Sequence, residues 1–262
     1  MIFLVESTKI KPCKKALILG GGGMFGAYQA GVWQVISPHF QPDIFIGASI
    51  GGINAWAMSS GCPPDEWAEG WRTMAIGAPP RLRRPRSLLG GCIESEVFER
   101  TIQYVHTRFS PRVPCAIALT DLLHLKPWIV VTPDVTWQHL AASCAVFGIM
   151  PQYRIDDRWQ TDGGLLGSLP LWAAAQLGVT HAVTVNILPH GGPGWLRLFK
   201  RCLPRPPAPP PIHIVRIEHP VPLGSARDAV VWSPENAARL IKLGQEDAES
   251  ALPALRQLLE TF

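Results

Sequence analysis

Two short apolar runs, each ending in a glycine-bearing turn and each followed by apolar residues at helical spacing, constrain this chain more than any other feature. The first is "KALILG" (15–20) entering "GAYQAGVWQVI" (26–36). The second is "DIFIGAS" (43–49) entering "IGGINAWAMSSG" (50–61), where Gly61 is placed to close the helix. A strand that runs into a helix, twice in succession, buries both elements only if the strands pair in parallel and the helices cover the sheet. The alternation continues. "PCAIALT" (114–120) and "KPWIVVTP" (126–133) read as strands separated by a short turn, and "PDVTWQHLAASCAVF" (133–147) reads as a capped helix. "LPLWAAAQLG" (169–178) is another helix, "THAVTVNIL" (180–188) and "PIHIVRIE" (211–218) are late strands, and 233–260 is helical. The expected fold is therefore α/β, with a mostly parallel central sheet covered on both faces.

A chain of 262 residues with 47% hydrophobic and 17% charged residues has enough apolar material for one large α/β domain, and disorder is excluded. The segments 77–91 and 189–211, rich in Pro, Gly and Arg, then read as loops within a single domain spanning 1–262. A net charge of +4 is too mild to imply nucleic-acid binding, for which no fold signature is present. The opening "MIFLVESTKIK" has too short an apolar stretch for a signal peptide, and no segment approaches 18 uninterrupted apolar residues. The six cysteines show neither CxxC spacing nor a metal pattern, so they read as reduced thiols and the expected location is cytoplasmic.

The run "LILGGGGMFGAYQAG" (17–31) poses the functional question. Gly21, Gly23 and Gly26 match G-x-G-x-x-G, with Asp43 near the distance where a dinucleotide fold places its ribose-binding acid. That acid belongs at the end of the second strand, however, and Asp43 stands at its beginning, on the wrong sheet edge. The end of that strand instead carries Gly47-Ala48-Ser49-Ile50-Gly51, a G-x-S-x-G between strand and helix, the context of a nucleophile elbow. Ser49 reads either as that nucleophile or as an ordinary helix cap. Loops after neighbouring parallel strands emerge on one edge, so the glycine amides and Ser49 should be neighbours, and successive amides at a helix start suit a developing oxyanion. The base is open between a histidine (His190, His213 or His219) and Asp162 in "WQTDGGLLGSLP" (159–170), where Gly163 and Gly164 let the carboxylate approach another turn.

"GGGGMFGAYQAG", "GASIGG" and "TDGG", in this order and spacing, resemble the patatin-like phospholipase family, as does 142–178, over roughly residues 15–190. The resemblance implies a three-layer α/β/α fold and hydrolysis of lipid acyl esters without metal or cofactor. It also implies a catalytic dyad in place of a triad, with Ser49 as nucleophile and Asp162 as general base. The backbone amides of Gly21, Gly22 and Gly23 would form the oxyanion hole. The chain departs from the family's pattern at Phe25, where a basic residue is frequent, at Phe147, where a proline is, and at Ser168, where an asparagine is. Those departures motivate one alternative, an inactive patatin-like scaffold or binding module; the late histidines leave a second, a conventional Ser–Asp–His esterase. The implied partner is a lipid or ester substrate, and no motif names a protein partner. "GWLRLFKR" (194–201) reads either as an interfacial anchor making peripheral contact with anionic lipid or as a packed surface loop, and "RLRRPR" (81–86) as a solvated basic loop.

Overall fold

Strand β1 (Lys15–Leu19) lies between β2 (Ile44–Ala48) and β7 (His181–Val185), parallel to both. This computed structural model describes residues 15–73, 83–189 except 86 and 88, and 203–261 except 206, 207, 209 and 210. Strands β3 (Cys115–Asp121) and β8 (His213–Ile217) extend the parallel set, giving the order β3-β2-β1-β7-β8. Three antiparallel strands complete the sheet at the β3 end. β4 (Lys126–Val131) pairs with β3 along residues 116–121, and the hairpin of β5 (Tyr153–Ile155) and β6 (Arg158–Thr161) meets β3 only at Thr120 and Asp121.

The central strands read as unbroken apolar runs because both faces are covered. Alternate residues feed two separate cores. Leu17, Leu19, Phe45, Ile117, Val183 and Val185 face one, packed against helices α1 (Gly26–Ile36), α2 (Ile50–Ser59), α3 (Pro64–Thr73) and α8 (Pro234–Glu260). Ala16, Ile18, Ile44, Ile46 and Ala116 face the other, where α6 (Leu171–Gln176) contributes Trp172, Ala173 and Ala174. The result is the expected α/β/α layering around a mostly parallel sheet. Among the described residues no helix is long and apolar enough to cross a membrane.

Helices α4 (Glu96–Arg108), α5 (Trp137–Ser143) and α7 (Ala226–Val230) complete the fold. The expected helix over 133–147 is shorter than its sequence suggests. It starts behind the Thr136 cap and stops at Ser143, because the chain then turns so that the Ala145 carbonyl can accept hydrogen bonds from Asp162 N–H and the Thr161 hydroxyl. Below the glycine run, Asn54 of α2 has every amide group engaged. It donates to Gly26 O and Gln29 Oε1, and accepts from the indoles of Trp67 and Trp71. Gln29 in turn donates to Gly20 O, so a fully buried polar chain fixes the loop from beneath.

Candidate active site

Ser49 joins β2 to α2 with φ 54° and ψ −131°, a conformation that non-glycine residues avoid. Such a residue typically stores about 1–3 kcal/mol and persists only where its surroundings hold it. Here its N–H donates to Ser143 Oγ at 2.8 Å, and its carbonyl accepts the Gly52 N–H at 2.8 Å. Gly47 and Gly51 make the turn sterically feasible: a Cβ at Gly47 would collide with the Gly51 carbonyl, and one at Gly51 with the Leu19 carbonyl. The Ser49 side chain makes no capping hydrogen bond to α2, which removes the helix-cap reading. The Cys144 thiol lies beside it.

Asp162 arrives from the opposite direction. One edge of β3 is occupied throughout by β4, so β2 and β6 share the other, β2 along residues 115–118 and β6 at 120–121. β2 runs parallel to β3 and ends with Ala48 opposite Ala118; β6 runs antiparallel and ends with Thr161 opposite Thr120. The next position on each strand is opposite Leu119, and these positions are Ser49 and Asp162. Cys144 reports the same convergence. Burial and the charge of Asp162 push its thiol well above the ordinary value, while Ser49 beside it pulls it down.

The Asp162 turn is held by its own backbone. Its Oδ1 accepts the Gly164 N–H at 2.6 Å, its N–H donates to Ala145 O at 3.1 Å, and its carbonyl accepts the Thr120 hydroxyl at 3.0 Å. Ser143 ties the two halves together: besides accepting from Ser49, its hydroxyl donates to Ala118 O at 2.7 Å, and its carbonyl accepts the Gly163 N–H at 3.1 Å. Sequence reasoning assigned no role to Ser143 or Cys144; their signal lies in the 142–178 stretch, as part of a resemblance only.

The glycine run lies against Ser49. A Cβ at Gly21 would stand 2.9 Å from the Ser49 Cβ. One expectation needs correction: the Gly21 N–H donates to Ser168 O at 2.8 Å, so it is already used within the protein. Gly22 and Gly23, the latter at φ 60°, have backbone amides with no intramolecular acceptor among the described residues. Gly26, at the head of α1, gives room to Ile50 and Trp71. Phe25, between them, is 3% exposed and belongs to the core. Ser168 contributes its carbonyl here, and Phe147 is exposed near the Asp162 turn.

The other candidates lie elsewhere. Asp43 pairs with the start of β1, its Oδ2 accepting the Lys15 N–H at 2.8 Å, on the amino edge of the sheet, as the case against a nucleotide requires. His213 begins β8 on that same edge and stacks on His181 with ring centroids 4.8 Å apart. His219 follows β8, three strands and so about 14 Å of sheet from β2. Its Nδ1 is hydrogen-bonded to Asp247 Oδ2 at 2.8 Å, an oxygen that also accepts the Tyr28 hydroxyl at 2.7 Å. His190 and the 194–201 stretch lie outside the described residues. In the basic loop at 81–86, Arg83 is bound locally to the Gly90 carbonyl. Among the described residues no group of His, Cys, Asp and Glu could hold a metal ion.

The chain has counterparts among known proteins. The model of the patatin-like phospholipase family matches residues 17–175, well over half of the chain, and the chain belongs to that family. Among solved structures, VipD from Legionella pneumophila shares the fold with a TM-score of 0.52 at 12% identity, covering 93% of this chain and 67% of VipD. The type III effector protein ExoU matches with a TM-score of 0.42 at 14% identity, covering 95% of this chain and 53% of ExoU. The chain thus spans about two thirds of the first and about half of the second. No curated protein matches it.

Proposed function

We propose that the protein is a serine acyl hydrolase that cleaves lipid acyl esters through an acyl-enzyme on Ser49, with Asp162 as general base. The observation that carries this reading is the convergence of β2 and β6 opposite Leu119, which brings a strained serine and a glycine-flanked carboxylate end to end beside unused amides. Asp162 accepts the Ser49 hydroxyl proton as the oxygen attacks the ester carbonyl. The amides of Gly22 and Gly23 stabilise the oxyanion, each donor being worth about 3–4 kcal/mol. Collapse of the tetrahedral species breaks the ester C–O bond, and the leaving alkoxide takes the proton from Asp162. Water, deprotonated by the same carboxylate, then attacks the acyl-serine; fatty acid leaves and Ser49 recovers its proton. The balance is ester and water in, acid and alcohol out. Medium polarity matters, since a carboxylate is a weak base for serine, and both residues are largely buried, at 9% and 8% exposure.

Hydrolysis of p-nitrophenyl esters tests the reading. The wild-type protein should turn them over, and Ser49→Ala and Asp162→Asn should abolish turnover while retaining the wild-type far-UV spectrum. Wild-type rates in either variant would refute the roles. A folded wild-type protein without turnover would favour the inactive scaffold.

A further inference from the structure

Beside the glycine run lies a cavity of about 340 Å³, at the small end of the roughly 300–1,000 Å³ of small-molecule pockets. Phe25, Ile187, Leu188, Leu223, Ala226 and Ala229 line it, and among the described residues no charged side chain does. Among the described residues its one polar side chain is Ser225, whose hydroxyl is used in capping α7 with Asp228. Of the described lining residues only Phe25 lies within 17–175, so the described wall is built mostly by parts of the chain beyond the family match. The cavity adjoins the two unused amides directly. A Cβ at Gly22 would stand 2.9 Å from Ile187 Cδ1, and one at Gly23 would collide with the Ala229 carbonyl.

The order of strands decides what such a cavity receives. Along the sheet edge, Asp162 follows β6 on one side of Ser49, and the cavity lies past β1 at the exits of β7 and β8 on the other. In an ester held on Ser49 with its carbonyl oxygen at Gly22 and Gly23, the leaving oxygen must sit beside Asp162 to receive its proton. The group that stays on the serine is thereby kept off the Asp162 side, and the apolar wall beside the two amides is a surface able to receive it. Resting on the acyl-hydrolase reading, we propose that this cavity is the acyl-chain site and that it selects a single medium-length chain. At about 30 Å³ per water-sized group it holds roughly eleven such groups, the size of a chain of about eight to ten carbons.

The test has two arms. In a p-nitrophenyl ester series, the wild-type protein should prefer octanoate and decanoate over both acetate and palmitate. Ala229→Phe, which fills the cavity, should lower the octanoate-to-acetate ratio of kcat/KM at least about tenfold, the effect of a few methylenes losing their pocket. Leu223→Ala, which enlarges it, should move the optimum to longer chains. The second arm needs no turnover: octanoate is titrated calorimetrically into Ser49→Ala protein, with and without Ala229→Phe, and the filled variant should bind at least about tenfold more weakly. Octanoate binding that responds to Ala229→Phe supports the cavity even if no ester is hydrolysed, an outcome that would remove only the hydrolase reading. A chain-length profile indifferent to both variants, or octanoate binding indifferent to Ala229→Phe, overturns the assignment.

Discussion

Replacing Ser143 by alanine removes one hydroxyl, and the structure specifies what that does. The residue is fully buried, and the hydroxyl accepts from Ser49 N–H at 2.8 Å while donating to Ala118 O at 2.7 Å. Its loss strands a donor and weakens an acceptor in a dry interior, each at a cost of about 1–3 kcal/mol, so Ser143→Ala should lose roughly 3 kcal/mol of stability. The Ser49 N–H is also the anchor that keeps that residue at φ 54°, so release of the bond should let the backbone relax and move the hydroxyl off line. Urea unfolding measures the first effect. The rate of Ser49 labelling by a fluorophosphonate, taken well below the melting temperature, measures the second and should fall at least about tenfold, on the scale of geometric losses in catalysis. Ser143→Thr is the control. Its extra methyl strains a packed site by about 1–3 kcal/mol but the hydroxyl remains, so it should be destabilised yet label far faster than the alanine variant. Ser143→Ala protein that labels at the wild-type rate would refute the idea that Ser143 holds Ser49 in place.

Two further outcomes follow from buried polar groups. Asn54→Leu removes the partners of two indole N–H groups, Gln29 Oε1 and Gly26 O at once, and should cost at least about 3 kcal/mol, seen as a lower urea midpoint at unchanged slope. Burial holds His139 below its ordinary pKa of 6.5. The unfolded chain therefore binds more protons as the pH falls through 6.5, so this residue's stabilising contribution is complete above that value and is lost on acidification toward the folded pKa. Melting temperature against pH should show the decline, and His139→Gln should flatten it; an identical slope in both proteins would remove His139 from the account.

The parts of this architecture that depend on local pattern are written openly in the sequence. β1, α1, β2 and α2 fall where apolar runs give way to glycine and then to helical spacing, because a doubly covered parallel strand is a continuous apolar run. Other parts depend on tertiary contacts. β6 is four residues, "RWQT", mostly polar, and becomes a strand because β5 pairs with it along three residues and β3 offers it two residues of edge. The shortening of α5 likewise comes from carbonyls claimed by Asp162 and Thr161. Ser49 and Asp162 were legible as motifs, but their meeting opposite Leu119 depends on two registers, and no single-strand pattern contains it. The proposed acyl cavity is less legible still, since Phe25 meets there residues from Ile187 to Ala229, far along the chain. Gly21 could not be told from Gly22 and Gly23 by sequence; the difference is the Ser168 carbonyl, brought in by the segment after Asp162.

The most direct test of the central claim is labelling by a fluorophosphonate, with the site read by mass spectrometry. The account predicts modification at Ser49 in the wild-type protein, none in Ser49→Ala, and labelling slowed at least a hundredfold in Asp162→Asn, the lower range for loss of a general base. Folded wild-type protein that is not labelled at Ser49, or Asp162→Asn protein labelled at the wild-type rate, would contradict it.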